Sequence, residues 1–377
     1  MKLHKGSDLT ELLNKRIAGE RLSEEEALFL YENADLAELG SAAHQVRNQL
    51  HPEDIVSFVI GRNINYSNVC DTGCAFCAFH KKPGEPGGYV LSTPVILEKI
   101  QELVDVGGTE ILMQGGTHPG LPLSYYLKLL KAIKERFPDV HIHSFSTSEI
   151  LKMVEMSGES LESVITQLKD AGLDSLPGAG AEILDDRIRL AISENKGSWR
   201  EWINVMKTAN RLGLSTTGTM VVGLGEKLHE RIKHLIRLRD AQDETGGFTA
   251  FIPWTFQPEN TELAMERTYP KVTPEEYLRL VAISRLVLDN IPNIQASWVT
   301  MGAEVGREAL HYGCNDFGST MMEENVVAAA GTEFKVNTNQ VLEQIRLAGF
   351  TPAQRNTRYE ILHIFAEGEQ VEKDFAM

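Results

Sequence analysis

Short β-rich runs alternating with amphipathic helical stretches constrain this chain more than any other feature. The runs are NINYSNV (63–69), TEILMQG (109–115), VHIHSF (140–145), LDSL (173–176), STTGTMVVG (215–223), FTAFIPW (248–254), NIQASWV (293–299) and ALHYG (309–313). Between most of them lies a stretch such as TPVILEKIQELVDVG or SYYLKLLKAIKERF, with apolar residues at helical spacing. Such repeated alternation calls for a parallel sheet covered by helices. Eight units over about 250 residues match a (β/α)8 TIM-type barrel better than an open sheet. The fourth and eighth runs are short, which leaves a six-strand partial barrel as the competing arrangement. Residues 1–55 have apolar and charged positions at helical spacing, with Ser23 placed to cap Glu24–Glu26. The expected division is a helical extension over 1–55, the α/β barrel over 56–325, and a C-terminal extension packed on it over 326–377.

A barrel carries its chemistry just past the C-terminal ends of its strands. Cys70 follows the first run, Gly115 and Gly116 the second, and SFSTSE the third. LPGAGAE, GLGE and TFQPEN follow the next three. The net charge of -16 argues against nucleic acid or an anionic membrane surface as the main partner. No apolar run reaches the roughly 20 residues that span a bilayer. The opening MKLHKGSDLTELLNKR lacks the apolar core of a signal peptide. Four cysteines, three of them clustered, do not make a disulfide scaffold and suit a reducing cytoplasm.

The clustered three, Cys70, Cys74 and Cys77, lie within NVCDTGCAFCAFH (68–80). A closed metal site usually takes four ligands, so the count asks for an explanation. Inert buried thiols are one reading. A Cys3His zinc site that adds His80 is a second. In the third, three thiolates hold three irons of a [4Fe–4S] cluster and leave the fourth iron open.

The spacing C-x3-C-x2-C, with the aromatic Phe76 before the last cysteine, resembles the signature of the radical S-adenosylmethionine (SAM) enzymes. That resemblance implies one cluster on Cys70, Cys74 and Cys77, whose open iron chelates the amino and carboxylate groups of SAM. It implies a one-electron donor such as flavodoxin or ferredoxin. MQGG (113–116) resembles the glycine motif that receives the methionine amino group, so Gly115 and Gly116 are cofactor-binding candidates. Glycine suits the task because it lets backbone approach a ligand closely. GTMVVGLGE (218–226) resembles the motif beside the adenine and brings in Gly223. Glu182, after the fourth run, is the candidate for SAM's amino group or ribose, or else a carboxylate at a helix N-terminus.

A narrower resemblance covers nearly the whole chain. GERLSEEEAL, RNINYSNVC, GGTEILMQGGTHPGLP, AGLDSLPGAGAEIL, DETGGFTAFIPWTFQP and GSTMMEENVV are similar to the cyclic dehypoxanthinyl futalosine synthases of menaquinone biosynthesis. That family closes dehypoxanthinyl futalosine, a benzoate-bearing sugar derivative, into a spirocycle by hydrogen abstraction and radical addition to the aromatic ring. Aminofutalosine synthase, which attaches the deoxyadenosyl group to its substrate, is a near relative. The substrate benzoate needs a cation, for which Arg187 is the candidate. His143 and Gln257 are candidates for substrate binding, and His118, Asp316 and Glu323 for proton transfer. The fourth cysteine, Cys314, ends the eighth run and reads as a small apolar residue at the barrel mouth. The tail from Arg358 onward shows no recognisable chemistry.

Overall fold

Parallel pairing organises the computed structural model, which describes residues 8–375. Strand β1 (Ile55–Val59) runs through Ile60 into β2 (Gly61–Ile64). Then come β3 (Glu110–Met113), β4 (His141–Ser144), β5 (Ser175–Leu176), β6 (Ser215–Val222), β7 (Phe248–Thr255) and β8 (Asn293–Ile294). From β2 to β8 these strands lie side by side in chain order, every neighbouring pair parallel. β9 (Asp316–Ser319) pairs with β1, as does β10 (Thr351–Arg355) on its other edge. β11 (Ile361–Ile364) adds an antiparallel edge to β10.

Thin contacts close the ring. A parallel bridge joins Gln295 to Asp316, and Ala296 N donates to Asp316 O at 2.9 Å. Past β9, Met322 N donates to Gly61 O at 3.1 Å, and Asn63 N to Met322 O at 2.9 Å. The α/β barrel is therefore the architecture. Strands such as β2, β3 and β7 are buried on both faces, as a sheet wrapped by helices requires, whereas the edge strand β11 is exposed.

Three strands differ from the sequence expectation: of the run NIQASWV only Asn293–Ile294 is strand, and Trp298 opens the helix Trp298–Met301. The first begins at Ile55, so its opening half belongs to β1 and residues 65–69 already form the rim. The eighth is β9, because ALHYG ends the helix Ala303–Ala309 and forms a 3-10 turn over Leu310–Tyr312. There Gly306, Ala309 and Leu310 are buried at helical spacing, and Gly313, at φ 114°, ends the turn. This also relocates Cys314, which precedes its strand and stands at the end of the barrel away from the rim. The N-terminal helices are Leu9–Ile17, Glu24–Asn33 and Leu36–Leu50, and the first seven residues lie outside the described range. Ser23 caps as expected: its Oγ accepts from Glu26 N at 3.1 Å while Glu26 Oε2 accepts from Ser23 N at 2.8 Å.

Candidate active site

The cysteine loop leaves β2 and folds back on itself, so that Cys70 N donates to Lys81 O and Lys81 N to Asn68 O. Cys77 N donates to Cys74 O at 3.0 Å, which makes a tight turn of the last two cysteines. All three line one cavity of about 190 Å³ together with Phe76, Gly115, Gly116 and Glu182. Burial pushes the Cys70 thiol up, but hydrogen bonds with Thr117 and Thr72 outweigh it and hold the thiol below its ordinary range. The Thr117 hydroxyl lies 3.2 Å from Cys70 Sγ. Cys74 and Cys77 are raised by burial, opposed by the charge of Lys196 at Cys74 and by backbone N–H groups at Cys77.

The three thiols ring a cavity instead of converging on a point. Among the described residues no set of three or more His, Cys, Asp or Glu side chains is gathered as around a single metal ion. His80 turns Nδ1 to the Cys77 carbonyl at 2.9 Å. The geometry gives the Cys3His zinc reading no support, whereas a cluster of several irons needs thiolates spread around its body.

The rest of the cavity suits a small polar ligand beside such a cluster. A Cβ on Gly116 would stand 2.1 Å from Val69 O, and one on Gly115 would stand 2.5 Å from the Tyr66 ring, so only glycine fits either position. Gln114 Nε2 and Ser148 Oγ are buried on this wall without hydrogen-bond partners. Unpaired buried donors are costly unless a ligand meets them. Glu149 braces the glycines: its Oε1 accepts from Gly115 N at 3.0 Å and from Tyr66 Oη at 2.5 Å. Burial pushes the Glu149 carboxyl up to about 7. Glu182 sits at φ 42°, a left-handed conformation that non-glycine residues adopt at a cost. Its Oε1 meets Lys196 Nζ at 2.5 Å, and the helix Asp186–Ile192 begins later, capped by Asp185. The helix N-terminal reading of Glu182 therefore does not apply.

An adjoining cavity of about 280 Å³ runs into the barrel. Phe76, Gln114, Ala179, Gly180, Glu182 and Val326 line both spaces. His143 faces this interior with its Nδ1 2.6 Å from Ser175 Oγ. Burial and the Arg355 charge push its ring down to about 3, so it stays neutral. Arg355, Thr357 and Tyr359 also line the cavity. Tyr359 comes from the tail in which the sequence showed no chemistry, and Arg355 and Thr357 stand just before it, where no site residue was expected. Arg355 is paired with Asp316, Nε to Oδ2 at 2.5 Å and Nη2 to Oδ1 at 2.9 Å.

Several sequence candidates lie elsewhere. Arg187 is half exposed and tied to Glu230, Nε to Oε1 at 2.6 Å. His118 sits on a rim loop with Nδ1 accepting from Gly120 N at 2.9 Å. Asp316 is fully buried between Arg355 and Ser57. Glu323 pairs with Arg62 and Lys99 on a neighbouring cleft. Gln257 donates to Thr255 and Thr300. Gly223, at φ 97°, forms a turn whose N–H donates to Glu226. None of the six lines either cavity: Arg187, His118, Glu323 and Gln257 turn their side chains to partners outside them, Asp316 opens β9 and is held in the core, and Gly223 is spent on a turn. Phe76, Gly115, Gly116, Glu182, His143 and the three cysteines do line them. Thr117, Glu149 and Lys196 were missed; the capping pattern S-x-x-E at 146–149 was the available signal for Glu149.

A parallel barrel with three cysteines after its first strand and a glycine pair after the next defines a radical SAM enzyme. The model of the radical SAM superfamily matches residues 64–238, and that of the CofH/MqnC C-terminal region matches 245–368. A cyclic dehypoxanthine futalosine synthase of Halalkalibacterium halodurans is 58% identical over 97% of this chain and 98% of its own. The protein so named in Streptomyces coelicolor is 47% identical over 94% and 89%. The same organism's aminodeoxyfutalosine synthase is 37% identical over 93% of both chains. The crystal structure of HydG, a maturase of the [FeFe]-hydrogenase, superposes with a TM-score of 0.76 over 94% of this chain and 78% of that one. At 16% identity that likeness concerns the fold alone. The chain belongs to the radical SAM family that contains the cyclic dehypoxanthine futalosine synthases.

Proposed function

We propose that this enzyme cyclises dehypoxanthinyl futalosine, with a [4Fe–4S] cluster on Cys70, Cys74 and Cys77 and SAM against Gly115 and Gly116. One observation carries the reading. The three-thiol cavity adjoins a barrel interior in a chain 58% identical to a cyclic dehypoxanthine futalosine synthase. When bound, cluster and SAM supply a 5′-deoxyadenosyl radical that takes hydrogen from a sugar.

The chain's own residues hold the substrate and keep water away. Ile252, Trp254, Trp298 and Val299 form an apolar wall. Neutral His143 and Thr217 offer hydrogen bonds to sugar hydroxyls. Arg355 takes the place expected of Arg187 as the cation of the wall. Asp316 already balances its charge, so its remaining N–H groups, more than net charge, would meet the substrate carboxylate. Glu182 pairs with Lys196, and Glu324 accepts from the backbone of Val326–Ala328. Glu110, which accepts from Thr357 at 2.6 Å, is the carboxylate of this wall we assign to take up the proton. The division into extensions at 1–55 and 326–377 around a barrel over 56–325 belongs to the same reading; the pairing of β10 with β1 supports only its last part, a C-terminal segment packed on the barrel.

Ring closure removes two hydrogens from the substrate, one as an atom and one as a proton and an electron. Anaerobic incubation with SAM, a reductant and dehypoxanthinyl futalosine should give a product lighter by two hydrogens, with 5′-deoxyadenosine released free. A product carrying the deoxyadenosyl group covalently would assign the enzyme to the aminofutalosine type instead. A protein electron donor and a cytoplasmic setting fit this chemistry. The four cysteines are free of disulfides, and among the described residues no helix is long and apolar enough to cross a membrane.

A further inference from the structure

Lys196 places a buried ammonium 3.6 Å from Cys74 Sγ. The same Nζ meets Glu182 Oε1 at 2.5 Å and lies 5.0 Å from the centre of the Phe76 ring. Both charged side chains are hidden, at 5% and 7% exposure. Neither belongs to the cysteine loop: Glu182 follows β5, and Lys196 lies between the helices Asp186–Ile192 and Trp199–Arg211. One guanidinium ties the two segments together. Arg189 donates to the carbonyls of Gly180 and Ala181 on one side, at 2.9 and 2.8 Å, and of Lys196 and Gly197 on the other, at 3.3 and 2.9 Å. The fold thus fixes a positive charge against one cluster thiolate from outside the loop that binds the cluster.

We propose that Lys196 is a positioning residue that sets the reduction potential of the cluster, with Glu182 as its counterweight. The inference rests on the cluster placement made above. Reduction adds one electron to the cluster, and its negative charge spreads onto the sulfurs. An ammonium held at one sulfur in a water-poor site stabilises the reduced form, and potentials of such clusters follow nearby charge and hydrogen bonding to sulfur. Glu182 stands behind the ammonium and opposes it. Removing the two charges one at a time must therefore shift the potential in opposite directions.

The test is a redox titration with dithionite and mediators, followed by electron paramagnetic resonance on anaerobically reconstituted full-length protein without SAM. At a fixed potential, Lys196→Met should lower the ratio of reduced to oxidised cluster about tenfold, which is about 59 mV for a one-electron couple. Glu182→Gln should raise the ratio, and Lys196→Arg should stay near the wild type. Shifts of Lys196→Met and Glu182→Gln in the same direction, or none in either, would overturn the proposal and leave the pair a structural role only. Should Lys196→Met fail to hold iron, Glu182→Gln decides alone, and an unchanged or lowered ratio sinks the idea. Iron and sulfide in the wild type test the cluster placement separately, and their absence would overturn both.

Discussion

Cys74 and Cys314 are both buried thiols, yet their surroundings assign them different fates. Cys74 faces the rim cavity beside Lys196, whereas Cys314 precedes β9 among Arg285, Arg47 and Tyr277. Burial pushes the Cys314 thiol far up, so it remains a small protonated residue. Cys314→Ala should keep full iron and sulfide after reconstitution, and Cys74→Ala should lose both. Glu149 offers a test by pH. Its carboxyl rises from an ordinary 4.5 to about 7 on folding, so the native state holds more protons than the unfolded chain across that window. The stabilisation is complete below about pH 4.5 and is lost as the pH rises through about 7, roughly 3 kcal/mol in all. Glu149→Gln should flatten that stretch of the profile of melting temperature against pH; an unchanged slope would show that another group causes it. Arg187→Ala should leave the apparent substrate constant unchanged and cost at most about 1 kcal/mol, the range for a partly exposed pair. A clear rise in that constant would return Arg187 to the substrate.

At the scale of elements, the C-terminal strand pair matters most. β10 lies between β1 and β11 and carries Arg355 to Asp316 inside the barrel. Arg355→Met should cost about 3–5 kcal/mol, because it leaves Asp316 charged and unpaired in the core. The double variant Arg355→Met with Asp316→Asn should recover part of the melting temperature; no recovery would mean that the arginine acts through packing instead. The sequence could not announce this strand. TPAQR has no β-branched or aromatic alternation after its first residue and contains Pro352, which argues against an interior strand. Only pairing with Ile55–Phe58, far away in the chain, makes it one. β3, β4, β6 and β7 were legible because their apolar runs are bounded by glycine or helix caps within a few residues. ALHYG misled because its apolar residues suit either a strand or the end of a helix. The site divides in the same way. The cysteines, Gly115, Gly116 and Glu182 belong to local motifs whose spacing fixes their place on the cavity wall. Arg187, His118 and Glu323 were placed by their order after strands, which does not fix side-chain direction.

Across the whole molecule, the barrel puts the cysteine loop on the rim at the strands' C-terminal ends. Arg355 of β10 and the turn through Thr357 and Tyr359 line the interior cavity, which adjoins the cysteine cavity along Phe76 and Glu182. A reactive group formed at the rim would meet a substrate lying in a largely apolar interior, and placement there would decide the product. All of this depends on three thiols leaving one iron open to SAM. The most direct measurement is the electron paramagnetic resonance spectrum of the reduced, reconstituted protein before and after adding SAM. The account predicts a brown protein with a cluster signal that changes when SAM binds. A signal indifferent to SAM, or a colourless protein holding zinc, would contradict it.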